Sequence, residues 1–404
     1  MTETWQDLTW GDIAVLHYGK AIREYGDTPS VARVYGTNGP IGWHDEALSN
    51  GPGLIVGRKG AYRGVQYSTG PFWVIDTAYY LTPKMPLDLR WAYYALVDYD
   101  VNNIDDGSPM PSTSRDAFYY APVKFPPLDE QRQIADLLSA LDVKIAHNRE
   151  MVATLEAIAR ALFQSWFVDF DPVHAKAQGK DPGLPPETAA LVPDRFTPDG
   201  LPEGWRSADL SRIAEVNPES WTSTQHPETI EYVDLANTKF GTIDSTSAFS
   251  WTDAPSRARQ VARIGDSIIG TVRPGNGSFA YIGREGYTVS TGFAVLRPKR
   301  PEYADAVYIA ATTAENLERV TVLAAGHGGA YPAINPKVVS ETSLPEVPDV
   351  LMMQFSLVAA THRKKIEQLK EECSSLVGVR DMLLPRLISG ELRIPDAAAA
   401  VAAG

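Results

Sequence analysis

Apolar positions along this chain form short runs cut by glycine and, twice, long regular stripes. Ile134, Leu138, Leu141, Ile145, Asn148, Val152, Leu155, Ala159 and Leu162 follow one another at alternating steps of four and three. That spacing keeps one face of a helix turned toward a partner over many turns and predicts a long coiled-coil helix. Adding 221 to each number gives Phe355, Ala359, His362, Ile366, Leu369, Cys373, Leu376, Arg380 and Leu383, a second and mostly apolar stripe. The first helix is expected to start near Leu128, after Pro126 and Pro127 stop a strand, with Asp129 as its N-cap. A helix of about 40 residues would be roughly 60 Å long, more than one globular head can bury. The second starts after Pro348 and carries Pro385, where a kink or break is expected. Asn148 has two readings: it fixes register at a cost in stability, or it sits at the seam's edge in reach of water.

The short runs precede each stripe. In the first half, 31–35, 54–56, 72–75 and 79–81 are cut by Gly36, Gly39, Gly42, Gly51, Gly53 and Gly60, which reads as short strands and tight turns, and 90–97 reads as a helix. The second half offers strands at 230–235, 267–272, 278–282 and 288–296, then a helix over 303–319. Residues 5–167 and 205–388 thus follow one plan. Trp5, Ile13 and Ala14 reappear as Trp205, Ile213 and Ala214; Leu54-Ile55-Val56-Gly57-Arg58 matches Ser267-Ile268-Ile269-Gly270-Thr271; Gly107, Pro111 and Ser114 match Gly328, Pro332 and Asn335. Between the copies, 169–203 is rich in proline and glycine and reads as a linker. The expected organisation is a head at 1–126, a long helix at 127–168, the linker at 169–203, a second head at 204–347, a second long helix at 348–392 and a flexible tail at 393–404. The fold class is α/β (α+β), with two duplicated globular heads separated by two long antiparallel coiled-coil helices.

Composition changes this picture little: 404 residues, 44% hydrophobic and 22% charged, suit a soluble protein of two or three domains. The single cysteine, Cys373, excludes an internal disulfide and a cysteine-cluster zinc site. No apolar run approaches the roughly 20 residues needed to span a bilayer, and the N-terminal residues lack a signal-peptide pattern, so a cytoplasmic location is expected. A net charge of −13 argues against a free-standing nucleic-acid binder, unless basic residues gather on one face or partners supply the backbone contacts.

No catalytic constellation emerges. There is no Gly-x4-Gly-Lys-Ser/Thr loop and no His-Glu-x-x-His; Gly36, Gly39 and Gly42 read as turns, and 169–174 reads as helix-end polar residues rather than metal ligands. What remains suits recognition. Gly57-Arg58-Lys59-Gly60-Ala61-Tyr62-Arg63-Gly64 places three cations and an aromatic ring in a glycine-punctuated loop, able to approach a phosphate backbone and present forked donors to guanine. Its counterpart, 271–278, offers Arg273, Asn276 and Ser278, and arginine and asparagine are the residue types that read guanine and adenine edges. Further candidate DNA-binding residues are Tyr18, Lys20, Ser108, Ser112, Arg257, Arg259, His327 and Tyr331. A coiled-coil adaptor that binds proteins without DNA is the alternative reading, and an enzyme is disfavoured by the missing constellation.

Here the residues carry a family. Pro126-Pro127-Leu128-Asp129-Glu130-Gln131-Arg132-Gln133-Ile134-Ala135, running through Leu141-Asp142-Val143-Lys144-Ile145 to Leu162-Phe163-Gln164-Ser165-Trp166-Phe167, resembles the central conserved region of the specificity subunit of type I restriction-modification systems. Gly200-Leu201-Pro202-Glu203-Gly204-Trp205 resembles the opening of that family's second target-recognition domain, and Leu384-Pro385-Arg386-Leu387-Ile388-Ser389-Gly390-Glu391-Leu392 its C-terminal helix end. The resemblance implies a non-catalytic subunit whose two domains each read half of a bipartite double-stranded DNA target. It implies that the helices set the unread spacer and dock two modification subunits, with the seam residues above as the docking candidates. It also implies no cofactor in this chain: S-adenosylmethionine would serve the modification subunits, and ATP and Mg the restriction subunits that translocate DNA. The second helix departs from the regular pattern at His362 and Arg380, which puts symmetric docking in question.

Overall fold

The computed structural model describes residues 4–104, 111–326 and 332–394. They form two compact units, Met1–Arg149 with Glu371–Gly404 and Glu150–Lys370. Each long helix, Leu128–Phe167 and Asp349–Ile388, contributes residues to both. The boundaries expected from sequence separated heads from helices; the packing instead groups each head with the helix segments beneath it.

In the first unit the strands Ala14–Tyr18, Ala78–Pro83, Gly53–Gly57 and Val65–Ser68 form an antiparallel sheet in that order. A second sheet orders Gly39–His44, Ala32–Gly36 and Phe72–Val74, the last two running parallel. The helix Leu89–Tyr99 is capped by Asp88, whose carboxylate accepts the N–H groups of Arg90 and Trp91. Trp10, Trp91, Phe118 and Phe125 fill the core beside Ile134, Leu138 and Leu141 of the first long helix and Leu383 and Leu387 of the second. Around that seam Arg380 bonds Asp142 at 2.9 Å, and the Tyr94 hydroxyl donates to the same carboxylate at 2.6 Å. Burial, then the hydrogen bond to Asp142, pushes the Tyr94 phenol well above its ordinary range.

The second unit repeats the scheme. Its strands Ala214–Val216, Phe293–Pro298, Ser267–Gly270 and Phe279–Tyr281 form the first sheet in that order. Ser247–Ser250, Thr229–Val233, Tyr287–Ser290 and Ala258–Val261 form the second, again with one parallel pair, here at its centre. The expected strand over 288–296 is therefore two strands in different sheets, split at Thr291 and Gly292. The expected helix over 303–319 is also two, Ala304–Ala311 and Ala314–Gly326. The break falls where Thr312 bonds back to the Tyr308 carbonyl and the Thr313 hydroxyl accepts the Asn316 N–H.

Other expectations need correction. Asp129 is not an N-cap but lies in the first turn of a helix that starts at Leu128. Buried Gln131 secures that start, donating to the Pro126 carbonyl at 2.8 Å and accepting the Asp88 N–H at 2.9 Å. Pro385 does not break the second helix, which runs through it and ends about one turn later at Ile388. The 169–203 segment is no free linker. It contains the helices Asp171–Ala177 and Pro186–Ala189 and buries Val173 and Val192 in the second unit's core, because Phe170, Leu184 and Phe196 supply apolar surface between its prolines. Asn148 is fully buried and its amide atoms find no hydrogen-bond partner among the described residues, so the reading of a seam edge in reach of water does not hold. The expected tail beyond residue 394 lies outside the described residues.

Charge also ties loops to a strand in the second unit. Glu219 accepts from Arg263 at 2.6 Å and Arg297 at 3.0 Å, and the Arg263 hydrogen bond leads in holding its carboxyl below the usual carboxylate range. A depressed folded pKa gives stability that is present above the unfolded value and is lost as pH falls through the folded one. Neighbouring Asp266, raised by burial, opposes this trend. Glu219→Gln should therefore flatten the acid limb of stability: thermal melts between roughly pH 3 and 6 should differ less from one another than those of the parent. An unchanged limb would show that the Arg263 and Arg297 contacts contribute nothing.

Candidate nucleic-acid interface

In the first unit the strand Gly53–Gly57 delivers the chain into a loop pinned on two sides. The N–H groups of Arg58 and Lys59 both donate to the Thr77 carbonyl, at 3.0 and 3.3 Å, and Gly60 donates to Pro111 at 3.0 Å. Thr113 returns a bond to the Arg58 carbonyl at 2.9 Å, and Lys59 bridges Ser112. At the loop's far end the N–H of Gly57 donates to Gly64, whose own N–H donates to Thr37. A side chain at Gly57 would overlap the Thr37 carbonyl, so only glycine fits there.

The loop aims its guanidinium at a ring. Arg58 lies 4.8 Å above the half-exposed Tyr18 ring and donates to the Asp76 carbonyl at 3.1 Å; Arg115 covers the same ring at 4.5 Å. Beneath them Tyr79, pushed up to about 12 chiefly by burial, donates to the Thr113 carbonyl. Two cations thus flank one exposed tyrosine, with Tyr62 standing out at 79% exposure on the same loop.

The second unit builds the same frame with other side chains. Thr271 donates its N–H and its hydroxyl to the Gly292 carbonyl, both at 2.8 Å; Arg273 donates its N–H to Pro332 at 2.8 Å; Ile334 returns a bond to Thr271 at 3.0 Å. Val272 bridges Ala333 as Lys59 bridges Ser112. Ser114 and Asn335, matched in sequence, cap the helices Arg115–Tyr120 and Pro336–Ser340 that follow these segments. Arg273, exposed and at φ 48°, leads into a short 3-10 turn that carries exposed Asn276. Arg257 joins this face: its carbonyl accepts from Thr291 beside Gly292, and its Nε donates to the Tyr232 hydroxyl at 3.0 Å.

Residues 2–157 match the model of the type I restriction modification DNA specificity domain. Over 129 residues the chain is 35% identical to the HindI specificity subunit of Haemophilus influenzae, covering 32% of this chain and 25% of that one. It is 26% identical to the MjaIX specificity subunit of Methanocaldococcus jannaschii over 141 residues, 34% of this chain and 29% of the relative. Residues 2–157 are thus similar to the DNA specificity domain of type I restriction-modification systems. These matches span only a quarter to under a third of the curated relatives' lengths. The fold likeness extends further: the S subunit from M. genitalium superposes with a TM-score of 0.60 at 19% identity, covering 95% of this chain and 96% of that one.

The placement of the expected contact residues is uneven. Tyr18, Arg58, Lys59, Tyr62 and Ser112 lie on or beside one pinned loop, and Arg257, Arg273 and Asn276 on or beside the other, while Lys20 bonds Val74 and Trp73 instead. Arg63 is turned inward at 3% exposure, donating to the Asn102 carbonyl at 3.0 Å, and cannot reach a duplex from there. Ser278 is also buried, its hydroxyl held by the Leu235 carbonyl at 2.9 Å. Arg259 lies apart, 4.3 Å over Trp251, which stacks on its other contact, His226, at 4.2 Å. Ser108, His327 and Tyr331 fall outside the described residues. Arg115 was not expected from sequence; its one signal is its place next to the Ser114 cap.

The seam residues are likewise spoken for. Ile134, Leu138, Leu141 and Leu383 are buried in the first unit's core, and Phe355 in the second's. Ile145, Ile366 and Leu369 are buried too, while Val152, Leu155 and Leu376 are half-buried. On the outward helix faces Val143, Leu357 and Val358 are exposed. Among the described residues no helix is long and apolar enough to cross a membrane.

Proposed function

We propose that this chain is the DNA-reading subunit of a type I restriction-modification complex, each head reading one half of a bipartite double-stranded target. The observation that carries the reading is the recurrence of one pinned loop frame in both heads, with Arg58 on one and Arg273 and Asn276 on the other. A loop whose backbone is fixed on two sides holds a guanidinium without further ordering, so more of its contact energy survives as discrimination. Different side chains on a common frame suit two heads that read different bases.

In this reading the chain catalyses nothing. Two modification subunits dock on the helices and methylate with S-adenosylmethionine, restriction subunits translocate DNA using ATP and Mg, and the 40-residue helices set the unread spacer. The net charge of −13 leaves most phosphate neutralisation to those partners.

Methylome sequencing of cells expressing the chain with its modification subunit tests this directly. A gapped, two-part methylated motif is expected. Arg58→Ala should relax one half and Arg273→Ala the other, each by about 1–3 kcal/mol, the range of one bidentate base contact. A contiguous motif, or equal loss at both halves from either substitution, would overturn the assignment.

A further inference from the structure

The second head carries a hairpin with no counterpart among the described residues of the first. Ala32–Gly36 reaches Gly39–His44 through Thr37 and Asn38 alone, whereas the matching strands Thr229–Val233 and Ser247–Ser250 are joined through an added two-stranded hairpin, Thr238–Lys239 with Thr242–Ile243. Phe240 sits at its tip, 70% exposed and at φ 45°. A phenylalanine held in the left-handed region is strained, and a ring left in water returns nothing for that strain.

The surroundings enforce the pose. Phe240 donates its N–H to the Gly277 carbonyl at 2.8 Å and Gly241 donates to Phe279 at 2.9 Å. Lys370 reaches the Gly241 carbonyl with its ammonium at 3.0 Å. A Cβ at Gly277 would overlap the ring, so the ring lies directly on the end of the 271–278 loop. Phe279 meets it edge to face, with ring centroids 6.2 Å apart at 89°. The same two segments carry exposed cations, Lys239 on the hairpin and Arg273 on the loop.

We propose that Phe240 is an apolar wedge that packs against a partly unstacked base step in the half-site read by the second head. This rests on the DNA-reading function proposed above. A duplex offers the two chemistries present here together: anionic phosphates for Lys239 and Arg273, and flat apolar base faces for the ring once a step opens. Apolar side chains used this way shift a base step apart and so read deformability rather than base edges.

The test uses the chain assembled with its modification subunits and a duplex bearing the motif recovered from the methylome. 2-Aminopurine replaces single bases across the half-site that Arg273→Ala relaxes, omitting the methylated base. One position should brighten on binding. Phe240→Ala and Phe240→Asn should abolish that signal and weaken binding about ten- to a hundredfold, as loss of a stacked aromatic does. Because asparagine accepts the left-handed conformation, Phe240→Asn should also melt no lower than the parent. Binding without brightening at any position, or brightening that persists in Phe240→Ala, overturns the wedge while leaving DNA reading intact. Loss of modification-subunit co-purification in Phe240→Ala assigns the ring to a protein contact and overturns it as well. No binding by the parent complex overturns both.

Discussion

Arg363→Ala is expected to destabilise the second unit by about 3–5 kcal/mol, the cost of removing one partner from a buried ion pair. Arg363 is buried on the second long helix. Its Nε donates to Asp305 at 2.9 Å, and its plane lies 4.2 Å over Tyr281 and 4.8 Å over Tyr308. Glu156 and Glu367 stand 3.8 Å from its other nitrogen. Without the guanidinium, Asp305 would remain buried beside two further carboxylates, with Lys370 as the cation within reach of Glu156 and Glu367. Burial already pushes the Glu367 carboxyl up despite the cations beside it. Lysine at 363 would keep the charge but lose the fork and the stacking, so it should recover part of the loss. Arg363→Met with Asp305→Leu should recover most of it, because the buried Asp305 charge is removed with its partner and Lys370 still faces Glu156 and Glu367. Chemical denaturation of the four proteins decides the matter. If the double substitution proves as unstable as Arg363→Ala, the loss is one of packing and the ionic account is wrong.

The same network marks the limit of what the sequence makes legible. A stripe with steps of three and four identifies the helices and their facing residues, since that signal is local and repeats. Arg363 lies one position off the stripe, beside His362, and faces the head. The signal that could have exposed it is Asp305, a lone carboxylate in the otherwise apolar helix Ala304–Ala311. A charge in a wholly buried helix requires a buried partner.

The two loops were legible for the same reason as the stripes: a strand, a glycine and a polar turn recur in order. Which side chains they present was not. Arg63 turns inward because Asn102, 39 residues away, accepts its guanidinium and bonds its backbone N–H. Arg115 matters only because folding lays it on Tyr18. The Phe240 hairpin was missed because it has no copy among the described residues of the first half, and a comparison of repeats is blind to an insertion. In each case a long-range contact selects between rotamers or turns that local sequence leaves equivalent.

Phe355→Ala is expected to cost a further example of the same magnitude, about 3–5 kcal/mol, for a different reason. The ring is almost wholly buried where the two long helices meet in the second unit, with its centroid 5.7 Å from Phe163, 6.1 Å from Trp166 and 5.3 Å from Phe167. Three edge-on neighbours leave no side chain free to collapse into the void, so both the lost transfer energy and the cavity count. The position matched in the first half, Ile134, is aliphatic and equally buried, and Ile134→Ala should cost about 2–5 kcal/mol in its own unit. Hydrogen exchange separates the two effects. In Phe355→Ala, amides of Glu150–Lys370 should lose protection while those of the first unit keep theirs, and Ile134→Ala should show the reverse. Equal loss in both units from either substitution would mean that the chain opens as one cooperative body. Damage to one head would then reach the other, and a bipartite reader could not lose one half-site while keeping its partner.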